Sequence, residues 1–147
     1  MGREGGQEDE KKMITFELPI IPTAQQRARH TRTGRAYKSS TQEGNELALE
    51  AMLMPYRPVW PLKGPVRLVF TAYMPIPVSA SKKNREAMQA GKIGHTKKPD
   101  VDNLAKQLLD AMSRLWFWED DRQVVELVAR KRYGESPRWV VEVSEAV

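Results

Sequence analysis

Two carboxylates stand one residue apart in the run Lys97-Lys98-Pro99-Asp100-Val101-Asp102-Asn103-Leu104-Ala105-Lys106, and a second acidic cluster, Glu119-Asp120-Asp121, returns about one helix length later. A residue flanking proline is biased to extended backbone, so Asp100 and Asp102, at i and i+2, are expected to point the same way. Carboxylates held close together repel unless they are protonated or bridged by a cation. Oxygen ligands of this kind suit Mg²⁺, with Mn²⁺ as a substitute. Such an ion can activate water and neutralise charge developing on a phosphodiester. Lys106 lies one helical turn past Asp102, either as an i,i+4 ion pair or as an electrostatic stabiliser of a reacting phosphate. Asn103 can orient a carboxylate, and Asp110, a further turn on, suits a structural partner. The competing account makes Asp102 a helix N-cap. A cap explains one aspartate but neither Asp100 nor the return of acids at 119–121.

The rest of the chain is basic. Its 147 residues carry a net charge of +5, unevenly spread. Arg27, Arg29, Arg32, Arg35 and Lys38 follow one another with no acid among them, and Lys82, Lys83, Arg85, Lys92, Lys97 and Lys98 are accompanied only by Glu86. Arg130-Lys131-Arg132 forms a third group. One such run is ordinarily a solvated face, whereas three around an acidic centre suit a polyanionic partner. There is no cysteine and there are two histidines, His30 and His95, which disfavours zinc and directs any metal to oxygen ligands. The absence of thiols, of an apolar leader and of a spanning segment leads to the expectation of a cytoplasmic protein without membrane contact.

These groups need a scaffold, and the patterning predicts a small mixed sheet packed with about three helices, an α+β fold. Residues 1–12 read as a loose tail and 13–147 as one domain. Strands are expected at 13–18, at 66–73 with Val66, Leu68, Phe70 and Ala72 on one side, at 123–132 with Val125, Leu127 and Ala129 on one side, and at 139–143 with Trp139, Val141 and Val143 on one side. A capping box from Ser40 to Glu43 opens a helix whose inward face is expected to be Leu47, Ala51 and Met54. A short helix over 79–90 ends at Gly91. The third, from about Asp102 to Leu115, turns Ala105, Leu108, Leu109, Met112 and Leu115 to the core. The Arg-rich segment 23–39 has no period and reads as a loop.

Local geometry leaves one gap. A strand antiparallel to the third helix begins near that helix's C-terminus, which sets 119–121 away from Asp100 and Asp102. Trp116-Phe117-Trp118 joins them as a core or dimer plug, or as a stacking surface for bases. From pattern alone the chemistry is either metal-dependent phosphodiester hydrolysis or non-catalytic nucleic-acid binding. A Mg²⁺ phosphohydrolase acting on nucleotides is a third class. Steep weakening by salt separates a many-phosphate partner from a nucleotide pocket.

The run from Lys98 to Met112, followed by Glu119-Asp120-Asp121-Arg122-Gln123-Val124, resembles the RusA family of Holliday junction resolvases, small endonucleases of prophage and bacterial origin. The likeness covers most of 13–143. It implies that Asp100, Asp102 and Asp121 are the catalytic, metal-binding carboxylates, that Asp120 is the adjacent acid of the pair, and that Lys106 is the catalytic lysine. It also implies a homodimer that nicks opposed strands of a four-way DNA junction symmetrically in Mg²⁺, in recombination and repair, and it supplies the convergence of the three aspartates. Arg27, Arg29, Arg32, Arg35, Lys82, Lys83, Arg85, Lys97 and Lys98 are the expected DNA-binding residues, contacting phosphates rather than bases. His95 and His30 are expected at most to touch the DNA backbone.

Overall fold

The computed structural model describes residues 12–26 and 29–146, with backbone alone at 29, 30 and 37. Of the expected tail only Lys12 falls within these residues.

A four-stranded sheet is built from β1 (Met13–Leu18), β4 (Val66–Pro75), β5 (Val124–Gly134) and β6 (Arg138–Glu145) in the order β1-β6-β4-β5. β6 runs antiparallel to β1 and to β4, whereas β4 and β5 are parallel. Parallel neighbours require a long crossover. Here it carries α2 (Lys82–Gln89) and α3 (Val101–Arg114). Period-2 alternation places Val66, Leu68, Phe70, Ala72 and Met74 of β4 in the core, beside Trp139, Val141 and Val143 of β6 and Phe16 and Leu18 of β1. The sheet is therefore the mixed one expected, and α1 (Ser40–Leu53) is the third helix.

Four details differ from the expectations. The segment 23–39 contains a short ribbon, β2 (Arg29–His30) paired with β3 (Ala36–Tyr37); two-residue strands are too short to leave a period. Ser39 rather than Ser40 caps α1, accepting from the Gln42 amide at 3.1 Å. The inward face of α1 is Gln42, Glu46, Leu49 and Leu53, and Leu47 is 68% exposed. Two of those inward positions are polar, Gln42 meeting Gln107 of α3 and Glu46 accepting from Gln42 and Lys38, so hydrophobicity selected the wrong stripe. On β5, Val125 and Leu127 are 63% and 42% exposed, because β5 is the outer strand of the sheet.

The linker aromatics divide. Phe117 and Trp118 are buried and Trp116 is exposed, which settles the first two as core. Burying one such ring stabilises by about 2–3 kcal/mol.

Candidate active site

α3 begins where the sequence placed the chemistry. Its N-cap position is Asp100, not Asp102, with extended backbone at φ −73°, ψ 147° next to Pro99. The Asp100 side chain makes no capping hydrogen bond, and Asp102 Oδ1 accepts only from the neighbouring Asn103 amide at 3.0 Å. Both carboxylates are exposed. The helix turn is closed instead by the Leu104 amide donating to the Asp100 carbonyl. The capping account is thus corrected, since neither carboxylate is used up in holding the helix. Their position at its N-terminus also suits negative charge.

Lys106 is exposed and forms no ion pair with Asp102 among the described residues. It lines a polar hollow with Gln25, Gln26, Lys38 and Ser39. Beneath lies a buried network. Gln42 Nε2 donates to Gln107 Oε1 and to Glu46 Oε1, both at 3.0 Å, and Lys38 Nζ pairs with Glu46 at 3.0 Å. Burial alone pushes the Glu46 carboxyl up, but the Gln42 amide and the Lys38 ammonium outweigh it and hold the group below its usual range. Gln25 ties this loop to α3 twice, through its amide to the Asn103 carbonyl and through Nε2 to Asp110 at 2.7 Å. Asp110 is the structural partner expected.

The segment ahead of Asp100 is fastened from β5. Lys131 Nζ donates to the carbonyls of Lys97 and Pro99, each at 2.7 Å. His95 lies edge-on to Tyr133 with ring centroids 4.8 Å apart. Burial, then the charges of Lys131 and Lys97, hold its imidazole below the usual range, so it is a neutral packing group. Its Nδ1 is buried without a hydrogen-bond partner.

The later acids sit elsewhere. Asp121 opens a one-turn helix, Asp121–Gln123, just before β5. Its Oδ1 accepts from Ser113 Oγ and from Trp118 Nε1, the latter at 3.0 Å. Ser113 is in the last turn of α3, and eleven residues at 1.5 Å each put it roughly 16 Å along the helix from Asp102. Asp120 is occupied differently: it caps the one-turn helix and is gripped by Arg122, whose guanidinium holds its carboxyl below the ordinary range. Among the described residues of one chain, no three carboxylate or imidazole groups gather closely enough to hold a metal ion. Asp100 and Asp102 share the start of α3, whereas Asp121 lies beside its last turn.

The basic residues also divide. Arg32, Arg35, Lys82, Lys83, Lys97 and Lys98 are exposed. Arg85 is engaged, by Glu135 at 2.9 Å and by the Pro77 carbonyl at 3.0 Å. Arg27 and the Arg29 and His30 side chains lie outside the described residues. Sequence reasoning missed Lys131 as the fastener of the 97–99 segment. Its place in a basic triplet concealed a structural role that only the strand register reveals.

Residues 17–144 match the sequence family described as Endodeoxyribonuclease RusA. The chain belongs to the RusA family. It is 36% identical over 137 residues to the uncharacterized protein YqaN of Bacillus subtilis (strain 168), a match covering 90% of this chain and 96% of that one. It is 32% identical over 133 residues to the crossover junction endodeoxyribonuclease rusA of Lactococcus phage r1t, covering 88% and 95% respectively. The RusA pattern implies a metal held by Asp100, Asp102 and Asp121, and one chain does not assemble that set. No helix among the described residues is long and apolar enough to cross a membrane.

Proposed function

We propose that this RusA-family chain is a divalent-metal-dependent endodeoxyribonuclease that resolves four-way DNA junctions by paired nicks, acting as a homodimer. The observation that carries the reading is the pair of unspent carboxylates, Asp100 and Asp102, at the mouth of a helix flanked by the exposed Lys97, Lys98 and Lys106. Asp121 completes the acidic set, and Lys106 sits one turn from Asp102 to offset charge on the phosphate being cut. Asp120, held by Arg122, supports the turn that presents Asp121. Lys97, Lys98, Lys82, Lys83, Arg32 and Arg35 seat the DNA backbone without reading sequence.

The gap between Asp121 and Asp102 supports a second copy as the source of the third carboxylate. β5 is an edge strand of eleven residues with exposed apolar side chains, the kind of edge that proteins ordinarily cover. Antiparallel pairing of two β5 edges about Leu127 sets Gln123 of one copy opposite Lys131 of the other. Lys131 is the residue fastened to the Pro99 carbonyl, so Asp121 of one copy arrives at the level of Asp100 in its partner.

The test is a labelled four-way junction beside a linear duplex of matching sequence, each with Mg²⁺ and with chelator, for wild type and Asp102→Asn. Paired nicks confined to the junction, dependent on Mg²⁺ and lost in the variant, are expected. Tight binding without cleavage in Mg²⁺ or Mn²⁺, across several junction sequences, would overturn the enzyme reading.

A further inference from the structure

Next to Asp100 lies a cleft of about 600 Å³ that phosphate contacts leave unexplained. This volume falls within the usual range for small-molecule sites, roughly 300–1,000 Å³. Its walls come from three parts of the chain: the segment 22–26, the middle of α1, and the 98–103 run that carries the carboxylates. Among the carboxamides that line it are Asn45 from α1 and Asn103 from α3. Neither is engaged by a side-chain hydrogen bond among the described residues. Pro22 and Pro99 supply flat apolar surface, and Lys98 supplies a cation at the rim.

Asn45 is costly where it stands. Asparagine is a weak helix former, and it follows Gly44, the weakest ordinary one, in the middle of a 14-residue helix. Packing does not demand that glycine, since a Cβ built there meets nothing within 4 Å. Asn45 brings its carboxamide to the cleft wall. A carboxamide presents a donor and an acceptor side by side, the pattern that reads a base edge. Two of them over apolar ring surfaces, with a lysine at the rim, form a receptor for a planar heterocycle attached to a phosphate.

We infer that this cleft takes an unstacked nucleobase of the strand being cut, with Asn45 and Asn103 contacting its edge and Pro22 and Pro99 its face. The inference rests on the nuclease reading and deepens it. The base bound is the one beside the phosphate presented to Asp100 and Asp102. The cleft therefore makes the rate of nicking depend on which base stands at the branch point, although the basic surface is indifferent to sequence. Taking a base out of the stack costs least where pairing is already disturbed, as at the centre of a junction. Selection for junctions over duplex and preference among bases then share one origin.

The experiment uses the full chain carrying Asp102→Asn, so that DNA stays intact, and a four-way junction with 2-aminopurine placed singly at each branch-point nucleotide. This probe brightens when it leaves the stack, and the cleft lining contains no aromatic ring to quench it. At one position, fluorescence should rise severalfold on binding. Adding Asn45→Trp, which fills the cleft, should abolish the rise, whereas Leu47→Ala on the exposed side of α1 should leave it intact. In the catalytically intact chain, Asn45→Ala should flatten the ratio of nicking rates among the four bases by about tenfold, the scale of one lost base-edge contact. Junction binding with no brightening at any position, or brightening that survives Asn45→Trp in a chain of unchanged circular dichroism, would overturn the base cleft while leaving the nuclease standing. Failure of the wild-type chain to bind or nick junctions would sink both.

Discussion

Two adjacent aspartates, Asp120 and Asp121, differ in what they are free to do. Asp120 has both oxygens on Arg122 and caps a turn, while Asp121 uses one oxygen on Ser113 and Trp118. Asp121→Asn should therefore lower junction nicking by at least about 10²-fold, whereas Asp120→Asn should keep it within a few-fold, a comparison read as kcat at saturating junction. His95 gives a prediction of a different kind. Burial and the neighbouring lysines depress its pKa, so the folded chain disfavours the imidazolium. The unfolded chain then binds the proton more readily, and stability should fall as pH drops through about 6.5, the ordinary value for histidine, and level off below the depressed one. Chemical denaturation between pH 7.5 and 5 should show this slope in wild type. The slope should shrink in His95→Phe, which keeps the edge-on packing on Tyr133 without a titrating group.

At the scale of elements, the loop bearing the arginines and the helix bearing the carboxylates are joined by amides rather than by apolar packing. Gln42 and Gln107 are 2% and 1% exposed and satisfy each other, with Glu46 as a third partner. Gln107→Leu should destabilise by about 1–3 kcal/mol, measured by urea unfolding, because it strands a buried amide on Gln42. The same network marks where sequence reading stopped. β4, β6 and the core face of α3 were legible because their apolar residues recur at period 2 or 3.6. The inward face of α1 was not, because Gln42 is satisfied by a helix 65 residues away in sequence and Glu46 by Gln42 and Lys38. The exposure of Val125 and Leu127 was likewise hidden, since alternation reports a strand without reporting that the strand lies at an edge. As to the site, the spacing of Asp100, Asp102 and Lys106 was legible because one helix start carries all three. The place of Asp121 depended on the linker from Leu115 to Asp120, where Trp116 adopts φ 60° and no periodicity applies.

At the scale of the whole molecule, the proposed second copy accounts for both the separation of the carboxylates and the exposed apolar side chains of the β5 edge strand. If each site takes Asp102 from one chain and Asp121 from the other, two inactive variants complement each other. A heterodimer of Asp102→Asn with Asp121→Asn then holds one site with both substitutions and one with neither. Mixing the variants after partial unfolding and refolding should restore nicking in one strand per junction, at up to about a quarter of the wild-type rate for random pairing of equal chains with one working site in each mixed dimer. Were all the carboxylates of a site drawn from one chain, every site in the mixture would carry a substitution and no activity would return. The edge itself can be tested without activity, because the chain has no cysteine. Leu127→Cys places identical thiols across the two-fold axis, where directly opposed Cβ atoms lie about 4.5–5.5 Å apart, within reach of a disulfide after slight adjustment. Mild oxidation should yield a covalent dimer from Leu127→Cys and none from a cysteine at Leu47, on an exposed helix face away from that edge. Complementation without the Leu127 cross-link would keep the shared site and move the interface to another surface. A cross-link without complementation would keep the β5 pairing and return Asp121 to a structural role beside Ser113.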